Sequence, residues 1–385
     1  MPLPIKRSII HKLSGVIARI RKRKARPAIP AEPKILVVML TFIGDVVLHV
    51  PFLDAVTEVF GAGSFDVVVR PPVDQVICEH SRIRRIFVFS CPWPWAGSSR
   101  WAKWLMHWTK GSIRWFRLLM LLRKERYDMA IVTHRHEMSS LTAFLSGAGV
   151  TTGWATQGDR FLDEPLYFVE SDRKRHASEY PVQLLDYLGI PSVPWERLPV
   201  AEMDFQRGRS LVEDIVNSQK FAGAKTIAVH PGAGSRNKVW PWENFSSLIN
   251  ELIEKSHFVI LLGSEKEKDL CTEIEKSISY PLKMKNFCRH LNIGELAGVI
   301  SSVDIYVGND SGPSHMAGAL GVGVYAIFGP SDPGIWAPRG PGVHVIHMTE
   351  DLFRSDRSVR NVLSAMGYAG ERAKENEKPD PRAIG

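Results

Sequence analysis

Short apolar runs alternate with amphipathic stretches along most of the chain. The runs that are short enough to be buried strands lie at 35–40, 65–69, 86–89, 128–133, 226–230, 257–262, 303–308 and 322–328. Apolar positions at helical spacing fill stretches between them, as at 45–60 and 111–125. Strands that alternate with helices predict parallel sheets covered by helices on both faces, which is an α/β fold.

The length and one proline-rich stretch predict two domains. A chain of 385 residues is too long for one ordinary core. Residues 191–199 (PSVPWERLP) are typical of a linker and divide the chain into two similar halves. We therefore predict domains at 33–195 and 196–367. They are preceded by a basic arm at 1–32 and followed by a charged, proline-rich tail at 368–385 that we expect to be disordered.

The basic arm accounts for the whole net charge of +8, because residues 1–32 contain nine basic residues and one acidic residue. A neutral remainder argues against a broad nucleic-acid-binding surface. Apolar residues recur at helical spacing within the arm. This pattern is typical of a helix that lies on an anionic membrane, although a flexible basic extension has the same composition.

Tryptophan is concentrated in one insert. Residues 92–116 contain six of the eleven tryptophans, among basic residues. The candidate contact residues are Arg100, Trp101, Lys103 and Trp104. Tryptophan beside cations suits a membrane headgroup layer or the stacking of sugar rings on an anionic acceptor, and a helical hairpin packed on its own domain is the alternative.

A first candidate site follows the first strand, at Gly44 and Asp45. Ligands of open α/β sheets bind beyond the carboxyl ends of the strands, so this turn is expected at a binding site. A carboxylate there can take a proton from an attacking hydroxyl group. The alternative is that Asp45 caps the following helix, since aspartate is favoured at that position.

A second candidate site is the glycine-rich segment 230–235 (HPGAGS), which closes an apolar run and precedes Lys238. Glycine lets the backbone approach a phosphate, and a nearby lysine adds a positive charge. Gly232, Ser235 and Lys238 are the residues that would meet an anionic ligand. An ordinary turn with a surface lysine would have the same sequence.

The third candidate site, at 303–321 (VDIYVGNDSGPSHMAGALG), is the most specific. An apolar strand leads into a polar turn and then into a helix of small residues that starts near Pro313. The amides and dipole at such a helix start bind anions. Asp310, Ser311 and Gly312 lie in the turn, and His315 either faces the ligand or packs inward.

These three segments together resemble glycosyltransferase family nine, the ADP-heptose:lipopolysaccharide heptosyltransferases. The resemblance covers about 34–345 and depends on ILVVMLTFIGDVVLHVPFLDAV, HPGAGSRNKVWPWENF and VGNDSGPSHMAGALGVGVYAIFGPSDP. It implies the GT-B fold, in which two Rossmann-like domains with parallel sheets face a central cleft. The first domain would take the acceptor and the second the nucleotide-sugar.

The resemblance also implies roles for individual residues. Asp45 matches the family's catalytic aspartate, Lys238 matches the lysine at the donor phosphates, and Asp310, Ser311, Gly312 and His315 match the donor-binding turn. An acidic residue after the 257–262 strand holds the ribose in the family. Glu265 and Glu267 are both candidates for it, and the helix start they occupy also favours glutamate for structural reasons.

The implied reaction is a single inverting displacement onto a lipid-linked glycan acceptor, without a cofactor or metal. The chain has no D-x-D sequence and no Cys/His spacing typical of a zinc site. We expect a cytoplasmic enzyme that is peripheral on the inner face of the inner membrane. A nucleotide-sugar epimerase of the same fold and a non-catalytic nucleotide-sugar-binding protein are the alternatives. Met39 and Phe42 depart from the family pattern on the expected acceptor side, which leaves the acceptor glycan open.

Overall fold

The computed structural model describes residues 29–30, 32–61, 63, 65–89, 101–155, 161–167, 174–193, 198–218 and 224–368, with side chains of the helix that starts at Trp101 described from 113 onward. Most of the basic arm, the tail from 369, Arg100 and the side chains of Trp101, Lys103 and Trp104 lie outside this part, so the expectations for them stay predictions. The chain divides into two compact units, 1–206 and 207–385. No helix in the described ranges has the length and apolar content needed to cross a bilayer.

The first unit contains a six-stranded, wholly parallel sheet. Its strands are Ile35–Met39 (β1), Phe65–Val69 (β2), Ile83–Val88 (β3), Met129–Val132 (β4), Val150–Ala155 (β5) and Glu164–Tyr167 (β6). They are arranged in the order β3-β2-β1-β4-β5-β6. β1, β2 and β4 are entirely buried, as expected for central parallel strands made of mainly apolar runs.

The helices of the first unit are Ile43–Phe60 (α1), Trp101–Glu125 (α2), Glu137–Leu145 (α3), Glu179–Leu188 (α4) and Glu202–Ser218 (α5), the last of which continues into the second unit. α1 begins two residues before the predicted start at 45. α2 begins ten residues before the predicted start at 111, because the tryptophan-rich segment from Trp101 continues the same helix. The second half of the tryptophan-rich insert, from 101 to 116, is therefore part of this helix.

A cluster of charged side chains joins α2 to the sheet. The carboxylate of Asp66 is fully buried, accepts a hydrogen bond from the Tyr127 hydroxyl at 2.5 Å and pairs with the guanidinium of Arg84. The carboxylate of Glu125, at the end of α2, lies 2.7 Å from Arg84 and 2.5 Å from Lys34. These two cations hold the pKa of Glu125 at about 2, and the cluster fixes the end of the helix.

The second unit repeats the arrangement. Its parallel strands are Thr226–His230 (β7), Phe258–Leu261 (β8), Met284–Asn286 (β9), Ile305–Asn309 (β10), Gly323–Phe328 (β11) and Val343–His347 (β12). Their order is β12-β11-β10-β7-β8-β9. The remaining helices are Trp242–Glu254 (α6), Lys268–Lys276 (α7), Ile293–Ser301 (α8), Gly312–Ala319 (α9), Pro333–Trp336 (α10), Glu350–Arg354 (α11) and Ser358–Ala365 (α12).

The strand order places a binding crevice in each unit. The connection from β1 turns to one side of the first sheet and the connection from β4 turns to the other, so a crevice opens between the carboxyl ends of these neighbouring strands. β7 and β10 have the same relationship in the second sheet. The first candidate site follows β1, and the other two follow β7 and β10.

The proline-rich stretch at 191–199 is packed in part. Leu198 and Val200 are buried, and the carbonyl of Pro199 accepts a hydrogen bond from the amide of Glu79 at 3.0 Å. The two units divide after Gln206, inside α5, which is eleven residues beyond the predicted boundary at 195. The burial of Leu198 and the hydrogen bond to Pro199 show that the end of the stretch packs on the first unit instead of forming an exposed linker.

Candidate active site

Asp45 lies in the first turn of α1, beyond the carboxyl end of β1. Its Oδ2 atom accepts a hydrogen bond from the Thr41 hydroxyl and a longer one, at 3.4 Å, from the amide of Phe42. Phe42 is the residue that caps the helix, and Asp45 is its third helical residue. Asp45 is therefore not the N-cap residue, but its carboxylate caps the helix from the third position through the amide of Phe42. Thr41 is buried and Asp45 is half-buried, so the carboxylate is held in one orientation at the crevice.

His49 connects this helix turn to the neighbouring strand. Its ring lies within 2.5 Å of the Asp45 carbonyl through Nδ1 and within 3.1 Å of the Thr133 carbonyl through Nε2. The side chain is 4% exposed, so the ring is part of the packed interior. This bridge holds the start of α1 next to the end of β4, where the next polar side chains lie.

Two histidines and an arginine follow the carboxyl ends of β4 and β2. The rings of His134 and His136 stack with centroids 6.1 Å apart, and His134 Nε2 lies 3.2 Å from the Ser139 hydroxyl. Arg70, after β2, places its guanidinium 4.8 Å from the centre of the Phe42 ring. Imidazole and guanidinium groups at one edge of the sheet give this crevice hydrogen-bond donors for an oxygen-rich ligand.

Burial determines the charge state of these histidines. Desolvation, with the rings of His136 and His49 adding to it, lowers the pKa of His134 to about 3. Desolvation also lowers the pKa of His136, against the Glu137 carboxylate, and the nearby positive charge of Arg70 lowers it further. Both imidazoles are therefore neutral at pH 7, and Arg70 is the charged member of the group.

Lys238 and Asp310 form an ion pair in the second unit. Lys238 Nζ lies 2.7 Å from Asp310 Oδ2, which joins the loop after β7 to the turn after β10. The ammonium group also lies 5.8 Å from the centre of the Trp336 ring, on α10. Asp310 is 7% exposed while Lys238 is about a third exposed. The lysine is thus held at the crevice with part of its charge available to a ligand.

The loop that carries Lys238 is fixed by two side chains that lie far from this loop in the sequence. Asn309 is fully buried at the end of β10, where its amide donates to the Pro231 carbonyl at 2.7 Å and accepts from the Trp240 amide at 3.2 Å. Arg354, at the end of α11, donates to the carbonyls of Val239 and Asn237, each at 2.8 Å. The loop is therefore clamped on both sides of Lys238.

The polar turn after β10 leads directly into α9. Ser311 caps the helix in an extended conformation and Gly312 is its first residue. The Ser311 hydroxyl lies 3.3 Å from that of Ser314, which donates to the Asn309 carbonyl at 2.5 Å. The start of α9 thus presents amides and its dipole beside the Lys238–Asp310 pair. His315 is buried in the first turn, 6% exposed.

Glycine at 232 lets two side chains approach the loop after β7. A methyl group at this position would lie 2.6 Å from Cγ of Glu267 and 2.9 Å from Cε1 of His230. The carboxylate of Glu267 accepts hydrogen bonds from the amide and hydroxyl of Ser264, at 2.9 and 2.5 Å. Burial lowers the pKa of the neighbouring His230 to about 4, although the Glu267 carboxylate acts in the opposite direction.

Glu265 has different surroundings. Its side chain is 71% exposed and pairs with the guanidinium of Arg289. Ser235, which was also predicted to contact the donor, is exposed as well, and its hydroxyl donates to the Asn237 side chain at 2.7 Å. Glu267 therefore lies against the glycine-rich loop, and Glu265 lies at the surface beside Arg289.

The structure brings most of the predicted donor residues of the second unit to the carboxyl ends of β7, β8 and β10. Gly232 lies against Glu267, Lys238 pairs with Asp310, and Ser311 and Gly312 follow Asp310 in the same turn. The residues that sequence reasoning missed in the two units are Thr41, His49, Arg70, His134, His136 and Arg354. A histidine pair directly after the apolar run at 128–133 was a visible signal, whereas the contacts of Arg354 span more than a hundred residues.

The chain is similar to known glycosyltransferases. The model of glycosyltransferase family 9 (heptosyltransferase) matches residues 115–359. Lipopolysaccharide heptosyltransferase 2 of Escherichia coli K12 is 27% identical over 269 residues, covering 64% of this chain and 71% of that protein. The solved E. coli ADP-heptose lipopolysaccharide heptosyltransferase II has a TM-score of 0.66 at 19% identity, covering 86% and 98% of the two chains.

A solved E. coli heptosyltransferase with ADP has a TM-score of 0.63 at 17% identity, covering 86% of this chain and 98% of that chain. These structural similarities confirm the expected GT-B fold class, with its two parallel α/β sheets. The family model matches well over half of the chain, which confirms the resemblance to this family. The chain therefore belongs to glycosyltransferase family 9 and is a glycosyltransferase.

Proposed function

We propose that this enzyme transfers a heptose or a related sugar from ADP-heptose to a lipopolysaccharide-core or similar cell-surface glycan. The observation that carries the proposal is the Lys238–Asp310 pair, 2.7 Å apart, next to the start of α9 at the crevice of the second sheet. A cation beside helix amides is an arrangement that binds a diphosphate. The names of the heptosyltransferase relatives support the choice of donor and acceptor.

The second unit would bind the donor. Lys238 and the amides at Ser311 and Gly312 would bind the diphosphate and stabilise the negative charge that develops on it as the sugar leaves. Asp310 would orient the lysine. We assign the ribose hydroxyls to Glu267 and not to Glu265, because Glu267 lies against Gly232 in the glycine-rich loop while Glu265 pairs with Arg289 at the surface.

The first unit would bind the acceptor and supply the base. The Asp45 carboxylate would take the proton of an acceptor hydroxyl while that oxygen forms a bond to the anomeric carbon. The bond from this carbon to the diphosphate oxygen breaks in the same step, and ADP leaves with the electron pair. One displacement inverts the anomeric configuration. We propose that the step needs no metal, since Lys238 and the helix amides take the charge.

Around Asp45, we assign acceptor binding to the groups at the same crevice. Arg70 would pair with an acidic group of the acceptor, and the neutral imidazoles of His134 and His136 would hydrogen-bond to its hydroxyls. Gly44, buried at the start of α1, would allow the acceptor to approach the helix turn. The enzyme would work on the inner face of the inner membrane, with the basic arm contacting anionic lipid.

A donor panel followed by product analysis tests the proposal. Binding of ADP-heptose, ADP-glucose and UDP-glucose is measured by calorimetry, and each donor is then incubated with a lipopolysaccharide acceptor that lacks heptose. We expect ADP-heptose to bind in preference and the acceptor to gain the mass of one heptose residue. Isomerised donor without glycosylated acceptor would identify an epimerase, and donor binding without any product would identify a binding protein.

The ribose assignment has its own matched pair of variants. Glu267→Gln is expected to raise the donor Kd by about 10-fold to 100-fold, since a hydrogen bond to a charged group contributes about 1.5–3 kcal/mol. Glu265→Gln, two residues away, is expected to leave the donor Kd within about twofold because the side chain is directed to Arg289. The opposite result would assign the binding of the ribose hydroxyls to Glu265.

A further inference from the structure

The described half of α2 exposes a stripe of large apolar side chains. Ile113, Phe116 and Met120 are 55%, 63% and 45% exposed, and their spacing of three and four residues aligns them along one side of the helix. Leu121, beside them, is 50% exposed. Single exposed apolar residues are ordinary on a protein surface, but four within nine residues of one helix form a patch that marks an interaction surface.

The packing of α2 keeps this stripe outside. The other side of the helix buries Leu118 and Leu122 in the core of the first unit, and the Trp115 indole nitrogen donates to the Thr142 hydroxyl at 3.2 Å. At the end of the helix, Glu125 is held by Arg84 and Lys34. Rotation of the helix would break all of these contacts, so the apolar stripe is a fixed feature of the folded unit.

The charges around the stripe have one sign. Residues 113–124 contain four cations, Arg114, Arg117, Arg123 and Lys124, and no acidic residue. At 100° per residue, Arg123 lies along one edge of the row formed by Ile113, Phe116 and Met120, and Arg117 and Lys124 lie along its other edge, between that row and Leu121. A surface complementary to this one is apolar at its centre and negatively charged around it. An anionic bilayer has this composition, since its acyl chains accept the apolar residues and its headgroups attract the cations.

We propose that the exposed face of α2, formed by Ile113, Phe116, Met120 and Leu121 with the flanking cations, docks on an anionic lipid bilayer. The surface lies on the unit that carries Asp45. This inference rests on the proposed function in one respect only. If the acceptor is lipid-linked, docking brings the enzyme to the bilayer that holds its substrate. The binding itself requires neither donor nor acceptor and is measured without them.

Sedimentation of the full chain with lipid vesicles tests the docking. The vesicles contain phosphatidylglycerol and phosphatidylethanolamine, and phosphatidylcholine vesicles are the neutral comparison. We expect Phe116→Ser/Met120→Ser to weaken partitioning onto the anionic vesicles by at least about tenfold, since each side chain loses apolar burial. Met203→Ser/Leu282→Ser is the matched control, because Met203 and Leu282 are 83% and 90% exposed elsewhere, and it is expected to bind like the unchanged protein.

Two further measurements distinguish docking by α2 from binding by the basic arm and from self-association. If a variant with Arg21, Lys22, Arg23 and Lys24 all changed to Gln loses vesicle binding while Phe116→Ser/Met120→Ser keeps it, the basic arm accounts for the binding and the proposal is overturned. If Phe116→Ser/Met120→Ser changes the oligomeric state in sedimentation velocity but not vesicle binding, the face contacts a second copy and the proposal is also overturned.

Activity assays keep this inference distinct from the proposed function. On a soluble, delipidated acceptor, Phe116→Ser/Met120→Ser is expected to match the kcat/KM of the unchanged enzyme. On acceptor embedded in anionic vesicles, its kcat/KM is expected to fall in parallel with its partitioning. Equal loss on both acceptors would contradict a role in membrane docking. Absence of transfer by the unchanged enzyme would refute the proposed function while leaving the vesicle result intact.

Discussion

Lys238 Nζ lies 2.7 Å from Asp310 Oδ2, and this contact joins residues that are 72 positions apart in the chain. Asp310 is nearly buried, so its carboxylate depends on the lysine for a partner, and the partly exposed lysine is held where β7 and β10 end. The pair therefore fixes the position of a positive charge before any ligand arrives. That preorganisation is what stabilisation of a leaving diphosphate requires.

Replacement of Lys238 tests this positioning. Lys238→Met is expected to lower kcat by about 100-fold to 1000-fold, the usual cost of removing one preorganised group that stabilises transition-state charge. Arg236→Met is the matched control, because Arg236 is an exposed cation in the same short helical turn. Steady-state assays with the nucleotide-sugar measure both variants. Comparable losses in the two would show that the charge acts only at long range.

Glycine 232 gives a steric prediction. Gly232→Ala places a methyl group 2.6 Å from Cγ of Glu267, which must move and break its hydrogen bonds to Ser264. Overpacking of this kind costs about 1–3 kcal/mol, so the donor Kd is expected to rise by roughly tenfold or more. Gly234→Ala is the control, since nothing lies within 4 Å of a methyl group there. Both variants are titrated with donor in a calorimeter, and equal Kd values would refute the steric effect.

The hydroxyl of Thr41 should matter for the chemical step. Thr41→Val keeps the shape of the buried side chain but removes the hydrogen bond to the Asp45 carboxylate. A bond to a charged group contributes about 1.5–3 kcal/mol, so kcat is expected to fall by about 10-fold to 100-fold with the donor Kd unchanged. Thr41→Ser keeps the hydroxyl and is expected to retain most of the activity. A wild-type kcat in the valine variant would remove Thr41 from the mechanism.

The buried imidazole of His230 makes stability depend on pH. Its pKa is lowered to about 4 in the folded protein, against about 6.5 in an unfolded chain. Between these values the unfolded chain binds more protons, so the free energy of unfolding falls as the pH decreases from about 6.5 to about 4. The slope from this one group reaches at most about 1.4 kcal/mol per pH unit.

Urea unfolding at several pH values measures this slope. In the His230→Gln variant, the slope of the free energy of unfolding against pH is expected to be smaller by up to about 1.4 kcal/mol per pH unit. His347→Gln is the control, because His347 is exposed at the end of β12. A slope that is the same in His230→Gln and in the unchanged protein would show that this histidine is not the group that titrates.

Continuous apolar runs made most of the fold predictable. β7 has the predicted bounds, and β1, β4, β8 and β11 each lie within two residues of their predicted bounds, because a strand buried on both faces is mostly apolar. β12 was missed since it is an edge strand in which exposed positions interrupt the apolar ones. β9 was missed because it has only three residues.

The site was predictable to the extent that it is local in sequence. The turn from 309 to 312 is typical of a ligand loop because polar residues and a glycine directly precede a helix start. The segment from 230 to 238 is typical of one because glycines are followed closely by a lysine. The partners that fix them were not predictable, since Asn309 and Arg354 act on carbonyls 78 and about 115 residues away. The spacing of residues in the sequence does not indicate which distant side chain contacts a given loop.

The Asp45→Asn variant, measured for donor binding and for transfer in the same preparation, tests the proposed mechanism most directly. A missing general base costs about 100-fold to 10,000-fold in rate. We predict that the variant binds ADP-heptose like the unchanged protein while glycosylated acceptor, quantified by mass, forms at least about 100 times more slowly. Transfer at the unchanged rate would contradict the assignment of Asp45 as the base and with it the proposed mechanism.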